Sequence, residues 1–124
     1  MSAKLYLKEQ NKDFVEEDIC MAESDIRTKA EFTYKDLEEF GQVKELRWDP
    51  GERSGIIVKD LTVTILTEDG KEIVKTAEQV ESSAVVLDNE LVFITLDPCV
   101  FITLDDPALL RSVVITANIV SRIP

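Results

Sequence analysis

Histidine is absent from this 124-residue chain, and with it go the commonest general base and the commonest metal-ligating side chain. No Ser-His-Asp triad, Cys-His pair or histidine-containing zinc site can be built. The four glycines, at 41, 51, 55 and 70, nowhere approach the spacing of GxGxxG or of a Walker loop, so nucleotide phosphates find no backbone cradle. Two cysteines, Cys20 and Cys99, make no disulfide framework, and nothing points to an oxidising compartment; both are expected to be reduced and the protein cytoplasmic. Basic residues are scarce as well, with 14 Lys and Arg against 25 Asp and Glu. The acidic excess is spread over both halves of the chain, which leaves no Lys/Arg stripe to displace counterions from a phosphate backbone. Nucleic acid is therefore an unexpected partner, and anionic membrane surfaces are disfavoured for the same reason. Met1-Ser2-Ala3-Lys4 leads into a strand-like run with no signal-peptide core, and no segment reaches bilayer-spanning length, so membrane insertion is not expected.

What the chain does have is ordinary globular composition, 44% hydrophobic and 31% charged, in a length that buries a core without disulfide or metal support. Residues 1–124 read as a single domain, and the stop at Pro124 directly after a strand suggests one excised from a longer protein. Alternating apolar residues predict strands over 4–8, 28–34, 45–48 and 56–67, the last interrupted in character by Asp60, with Leu61, Val63 and Ile65 on one face. Asp69-Gly70 supplies the positive φ values of a type I′ turn and predicts an antiparallel hairpin of 61–66 with 72–75. Residues 83–87 and 91–96 flank a second turn at 88–90, and 112–120 makes the last strand. Asp36 as a cap and Gly41 as a stop bracket a single helical turn, too short to stand alone. About eight strands at hairpin spacing, with no helix long enough for a crossover, predict an all-β, antiparallel β-sandwich of jelly-roll type.

Val92-Phe93-Ile94-Thr95-Leu96-Asp97 recurs eight residues later as Val100-Phe101-Ile102-Thr103-Leu104-Asp105. Two copies are too few for a solenoid, so the duplication reads as two core strands of like composition. With 25 acidic residues, chance carboxylate pairs are unavoidable, and a chain this small hardly walls the cleft a glycosidase needs. No enzyme activity and no cofactor are expected. Between Lys75 and Arg111 there is no basic residue, while Glu78, Glu81, Asp88, Glu90, Asp97, Asp105 and Asp106 fall there. Hard oxygen ligands suit calcium, yet no EF-hand spacing occurs, and the window reads as a solvated acidic edge with calcium as the alternative. Trp48, the single tryptophan, shares the face of Leu46 in its strand while Arg47 points away, and is expected in the core.

Val43-Lys44-Glu45-Leu46-Arg47-Trp48-Asp49-Pro50-Gly51-Glu52-Arg53-Ser54-Gly55, followed by the apolar strand at Ile56, resembles the Leu-Arg-Phe/Trp-Asp-Pro element of small β-sandwich domains. Those domains occur beside glycosyltransferase modules in bacterial cell-surface polysaccharide-synthesis proteins of the rhamnan-synthesis type. Leu5-Tyr6-Leu7 and Asp13-Phe14-Val15-Glu16-Glu17 resemble the same family's first strand and following loop. The resemblance implies a non-catalytic accessory module whose partner is a glycosyltransferase domain of the same polypeptide, with carbohydrate binding as an open role. The alternative is a structural or protein-interaction spacer with no sugar site. A polysaccharide site at the loop end of such a sandwich would use Tyr6 or Tyr34 as the stacking ring and Asp49, Glu52 and Arg53 as hydrogen-bonding partners.

Overall fold

The computed structural model describes residues 2–9, 19–23, 30–35, 37–50, 56–88, 90–94 and 98–121. They form ten strands: β1 (Ser2–Glu9), β2 (Ile19–Glu23), β3 (Ala30–Lys35), β4 (Gln42–Asp49), β5 (Ile56–Thr67), β6 (Glu72–Thr76), β7 (Glu81–Ser82), β8 (Val85–Leu87), β9 (Glu90–Phe93) and β10 (Val100–Ser121). The helical turn expected before Gly41 is a 3-10 turn, Leu37–Phe40, and Gly41 ends it at φ +74. All pairings are antiparallel, so the all-β expectation holds, with ten strands in place of about eight. The main path runs β2-β1-β4-β10-β5-β9-β8, with β3 and β7 also on β10 and β6 on β5.

The hub is β10. Its 22 residues would reach about 70 Å if straight, roughly twice the width expected of a 124-residue globule, so it must bend. It does so at register shifts between Thr103 and Ala108, Leu110 and Ser112, and Thr116 and Asn118. Up to Leu109 it pairs with β4 and β7; from Leu110 onward it pairs with β5 and β3. One strand thus serves both halves of a curled sheet, and the strand expected over 112–120 is only its second half. The widest bulge leaves carbonyls with no ladder partner, and Lys44 on β4 donates its ammonium to those of Leu104 and Asp105.

In β5, Ile56 and Val58 face inward, and so do Leu61, Val63 and Ile65. Removing Asp60 from the count would restore strict alternation, which identifies it as the extra residue of a bulge opposite Ala117. It sits at φ +54 and accepts a hydrogen bond from Asn118 Nδ2 at 2.9 Å.

The β5–β6 hairpin pairs Leu66 with Glu72 and extends to Thr62 with Thr76, as the sequence predicts and one pair further. Its turn is a different type from the one expected. Only Gly70 has positive φ, +88, while the Gly70 N–H donates to Thr67 C=O and the Thr67 N–H to Lys71 C=O. That is a three-residue connection with glycine at the left-handed position. Two-residue geometry appears instead at β8–β9, where Leu87 pairs with Glu90 and Asp88 takes φ +49.

Inward faces of both halves meet in one core that holds Leu5, Leu46 and Ile102 from one side and Phe32, Val63 and Ile115 from the other. Trp48 lies there fully buried, as its alternation with Leu46 predicts. The described residues of the duplicated hexapeptide, which exclude 95–97, occupy this core with opposite parity. Phe93 is fully buried and Ile94 is 70% exposed, whereas Ile102, the counterpart of Ile94, is fully buried and Phe101 is half-buried.

Candidate functional site

Strand alternation sends Trp48 inward and therefore turns Arg47 and Asp49 together onto the outer face of β4. Two residues apart on one face, they form a bidentate pair, Arg47 Nε donating to Asp49 Oδ1 at 3.1 Å and Nη2 to Oδ2 at 3.2 Å. On β1, Tyr6 is the register partner of Arg47, and the guanidinium carbon stands 4.0 Å from the centre of its ring. On the other side Phe101 of β10 is Arg47's register partner, and Glu81 of β7 follows in the same row. The outer face of β1, β4, β10 and β7 thus carries a ring, a cation, a second ring and an acid side by side.

Burial works against the Arg47 cation, but the hydrogen bonds and charge of Asp49 outweigh it and hold the guanidinium above its ordinary pKa. The arginine is fixed by a carboxylate in its plane and a ring on its face. Such an arrangement ties β1 to β4 and presents a preformed polar edge.

Of the residues proposed for sugar binding, Tyr6 and Asp49 are brought together here through Arg47, which the sequence reading did not include. Tyr6 is only 6% exposed, because the guanidinium covers it. Tyr34 is elsewhere: 2% exposed in the core, its hydroxyl accepting the Trp48 indole N–H at 3.1 Å. A ring enclosed on both faces cannot stack on a pyranose, so Tyr34 is not a candidate platform. Glu52 and Arg53 lie outside the described residues. The signal for Arg47 was present in its i, i+2 spacing from Asp49 on an exposed strand face.

A second region lies at the β5–β6 turn. Two adjoining shallow depressions, of about 360 and 510 Å³, share Thr67, Asp69, Pro107 and Ala108. Asp105 and Asp106 line the larger one together with Lys71 and Lys75. Asp69 accepts hydrogen bonds from the Thr67 hydroxyl and from the Lys71 N–H, and these hold its carboxyl below the usual value. Among the described residues no three carboxylate or cysteine side chains converge closely enough to hold a metal ion, which leaves the acidic window without a calcium cage there. Cys99 is a free thiol.

A third surface was not foreseen. Register partners Val120, Ile57, Val92 and Val85 form a continuous apolar row across the outer face of β10, β5, β9 and β8. Val120 is 41% and Val85 47% exposed, and Ile94, just past the end of β9, is exposed as well. Lys59 and Glu90, 3.7 Å apart, mark its rim. The signal was Val85-Val86-Leu87, an apolar run without alternation, in a strand that lies at the sheet edge.

No family model and no curated protein matches this chain. Among solved structures it is similar at a low level to an oxalate decarboxylase studied for its substrate binding mode and a reaction specificity switch. That pair is 12% identical over 77% of this chain and 26% of the other, with a TM-score of 0.20. An arginine-to-alanine mutant of Bacillus subtilis oxalate decarboxylase is 10% identical over 80% of this chain and 29% of its own, also at 0.20. The chain spans less than a third of those structures, and likeness at this level carries no argument about its chemistry.

Proposed function

We propose that this chain is a non-catalytic interaction module of a bacterial polysaccharide-synthesis protein, seated against its glycosyltransferase partner. The apolar row Val120-Ile57-Val92-Val85 supports this reading, because β-branched side chains aligned on an outer sheet face gain from being covered by another protein surface. The Leu46-Arg47-Trp48-Asp49-Pro50 resemblance supplies the transferase context. Deleting the module from the transferase polypeptide should lower assembly or thermal stability and leave sugar affinity unchanged. Intact assembly with lost sugar affinity would overturn it.

The second reading is carbohydrate binding at the outer face of β4, favoured by one observation: the Arg47–Asp49 pair stands beside the half-buried Phe101 ring. A sugar would set C–H groups on Phe101 and hydroxyls on Asp49, with a Kd of about 1 mM expected of so small a contact. NMR titration of labelled protein with cell-wall oligosaccharides separates the two readings. Shifts at Arg47, Asp49 and Phe101 favour sugar binding, and their absence at high ligand concentration favours the spacer.

A further inference from the structure

We propose that β8 is a docking edge that accepts one extended strand of a protein partner, apolar in alternation and carrying Lys or Arg at the end that meets Asp88. The proposal rests on the interaction-module reading and specifies its mode of contact. Among the described residues β8 ends the strand order and pairs only with β9. In a two-residue hairpin the closing pair, here Leu87 and Glu90, exchanges hydrogen bonds. Leu87 and Val85 therefore turn their peptide groups towards β9, and Val86 turns its N–H and C=O to the open side.

The side chains agree with that vacancy. Val85, Val86 and Leu87 are 47%, 50% and 57% exposed, on both faces of the strand. Exposed edges are normally blunted by lysine, proline, an inward-facing charge or brevity, and β8 has only the last, at three residues. An added strand would pair with Val86, cover it on the core side, and continue the outer apolar row beyond Val85.

Charge selects the occupant. No Lys or Arg occurs from residue 76 to residue 110, and exposed Asp88 directly follows the edge strand. A second copy would bring two such acidic edges together, each on a chain of net charge −11. A strand with a basic end meets the opposite sign at Asp88, while the carboxylate of Glu90 nearby is already matched by Lys59.

The test uses the full chain, isotope-labelled, and a synthetic peptide of alternating valine and threonine with two lysines at each end; a control carries glutamates there. The lysine peptide should shift the amides of residues 85–87 and bind at least about tenfold more tightly than the control at low salt. The difference should shrink near 0.5 M salt, where the Debye length falls to about 4 Å. Val86→Pro removes the outward N–H without touching the β8–β9 ladder and should abolish binding. Should that variant fail to fold, Val85→Lys combined with Leu87→Lys repels the lysine peptide through the outer face and should weaken it equally. Equal binding of both peptides, shifts confined to other strands, dimerisation through residues 85–87, or no shifts at millimolar peptide would each overturn the edge. A null peptide result does so whether or not deleting the module impairs assembly, so the two readings fail separately.

Discussion

Trp48 on β4 donates its indole N–H to the hydroxyl of Tyr34 on β3 at 3.1 Å, and Phe32 tilts against the same indole at 5.7 Å between ring centres. The two strands share no ladder. This bond therefore joins facing parts of the curled sheet through its core, and it satisfies the donor of a fully buried indole.

Tyr34→Phe keeps the ring and deletes the acceptor. Leaving the Trp48 N–H buried without it should cost about 1–3 kcal/mol. Denaturant unfolding followed by the emission of Trp48, the only tryptophan, measures this directly. An unchanged midpoint would show that the bond contributes nothing net.

The duplicated hexapeptide offers a paired comparison within one protein. Ile94→Ala, at a side chain 70% exposed, should stay within about 0.5 kcal/mol of the parent. Ile102→Ala, at the same place in the second copy but fully buried, should cost about 2–5 kcal/mol. Thermal unfolding of both variants checks the opposite parity; equal losses would contradict it.

Gly70 has φ +88, and a Cβ added there would meet nothing within 4 Å. The cost of Gly70→Ala is thus purely conformational, about 1–2 kcal/mol. Calorimetry should show a lower melting temperature with the β5–β6 amide pattern retained in NMR spectra, and a melting temperature at or above that of the parent would refute the left-handed turn.

Asp69 has its folded pKa lowered by the Thr67 hydroxyl, then by the Lys71 N–H. A carboxyl depressed in the folded state stabilises above its unfolded pKa, and that contribution fades as pH falls through the lower folded value. The stability advantage of the parent over Asp69→Asn should therefore be constant above about pH 5 and shrink below about pH 4. Melting curves across that range test it, and an advantage that grew on acidification would reverse the assignment.

Much of the architecture was legible because it rests on local rules. Alternation placed Leu61, Val63 and Ile65 on one face and sent Trp48 inward, and the lone Asp-Gly pair marked the hairpin. Gly41 ended the helical turn where expected. Turn type was not legible: Asp-Gly is compatible with two connection lengths, and the bonds made by Thr67 with Gly70 and Lys71 settled on the longer one. The outer clamp was half legible. The sequence reading names Asp49 and Tyr6 for the loop end of a sandwich, but they lie on strands, and only the β1–β4 register set Tyr6 under Arg47.

The sequence by itself determined an acidic, histidine-free, antiparallel β chain with a buried tryptophan, because composition and period-two patterning act over a few residues. Only the tertiary structure decided which face each copy of Val-Phe-Ile-Thr-Leu-Asp turns inward. Continuous apolar runs read equally well in either parity, and a one-residue change of register exchanges the two faces at no local cost. That choice belongs to β5 opposite one copy and β4 opposite the other, and the same long-range pairing made Tyr34 a core hydrogen-bond acceptor and left β8 at the open edge.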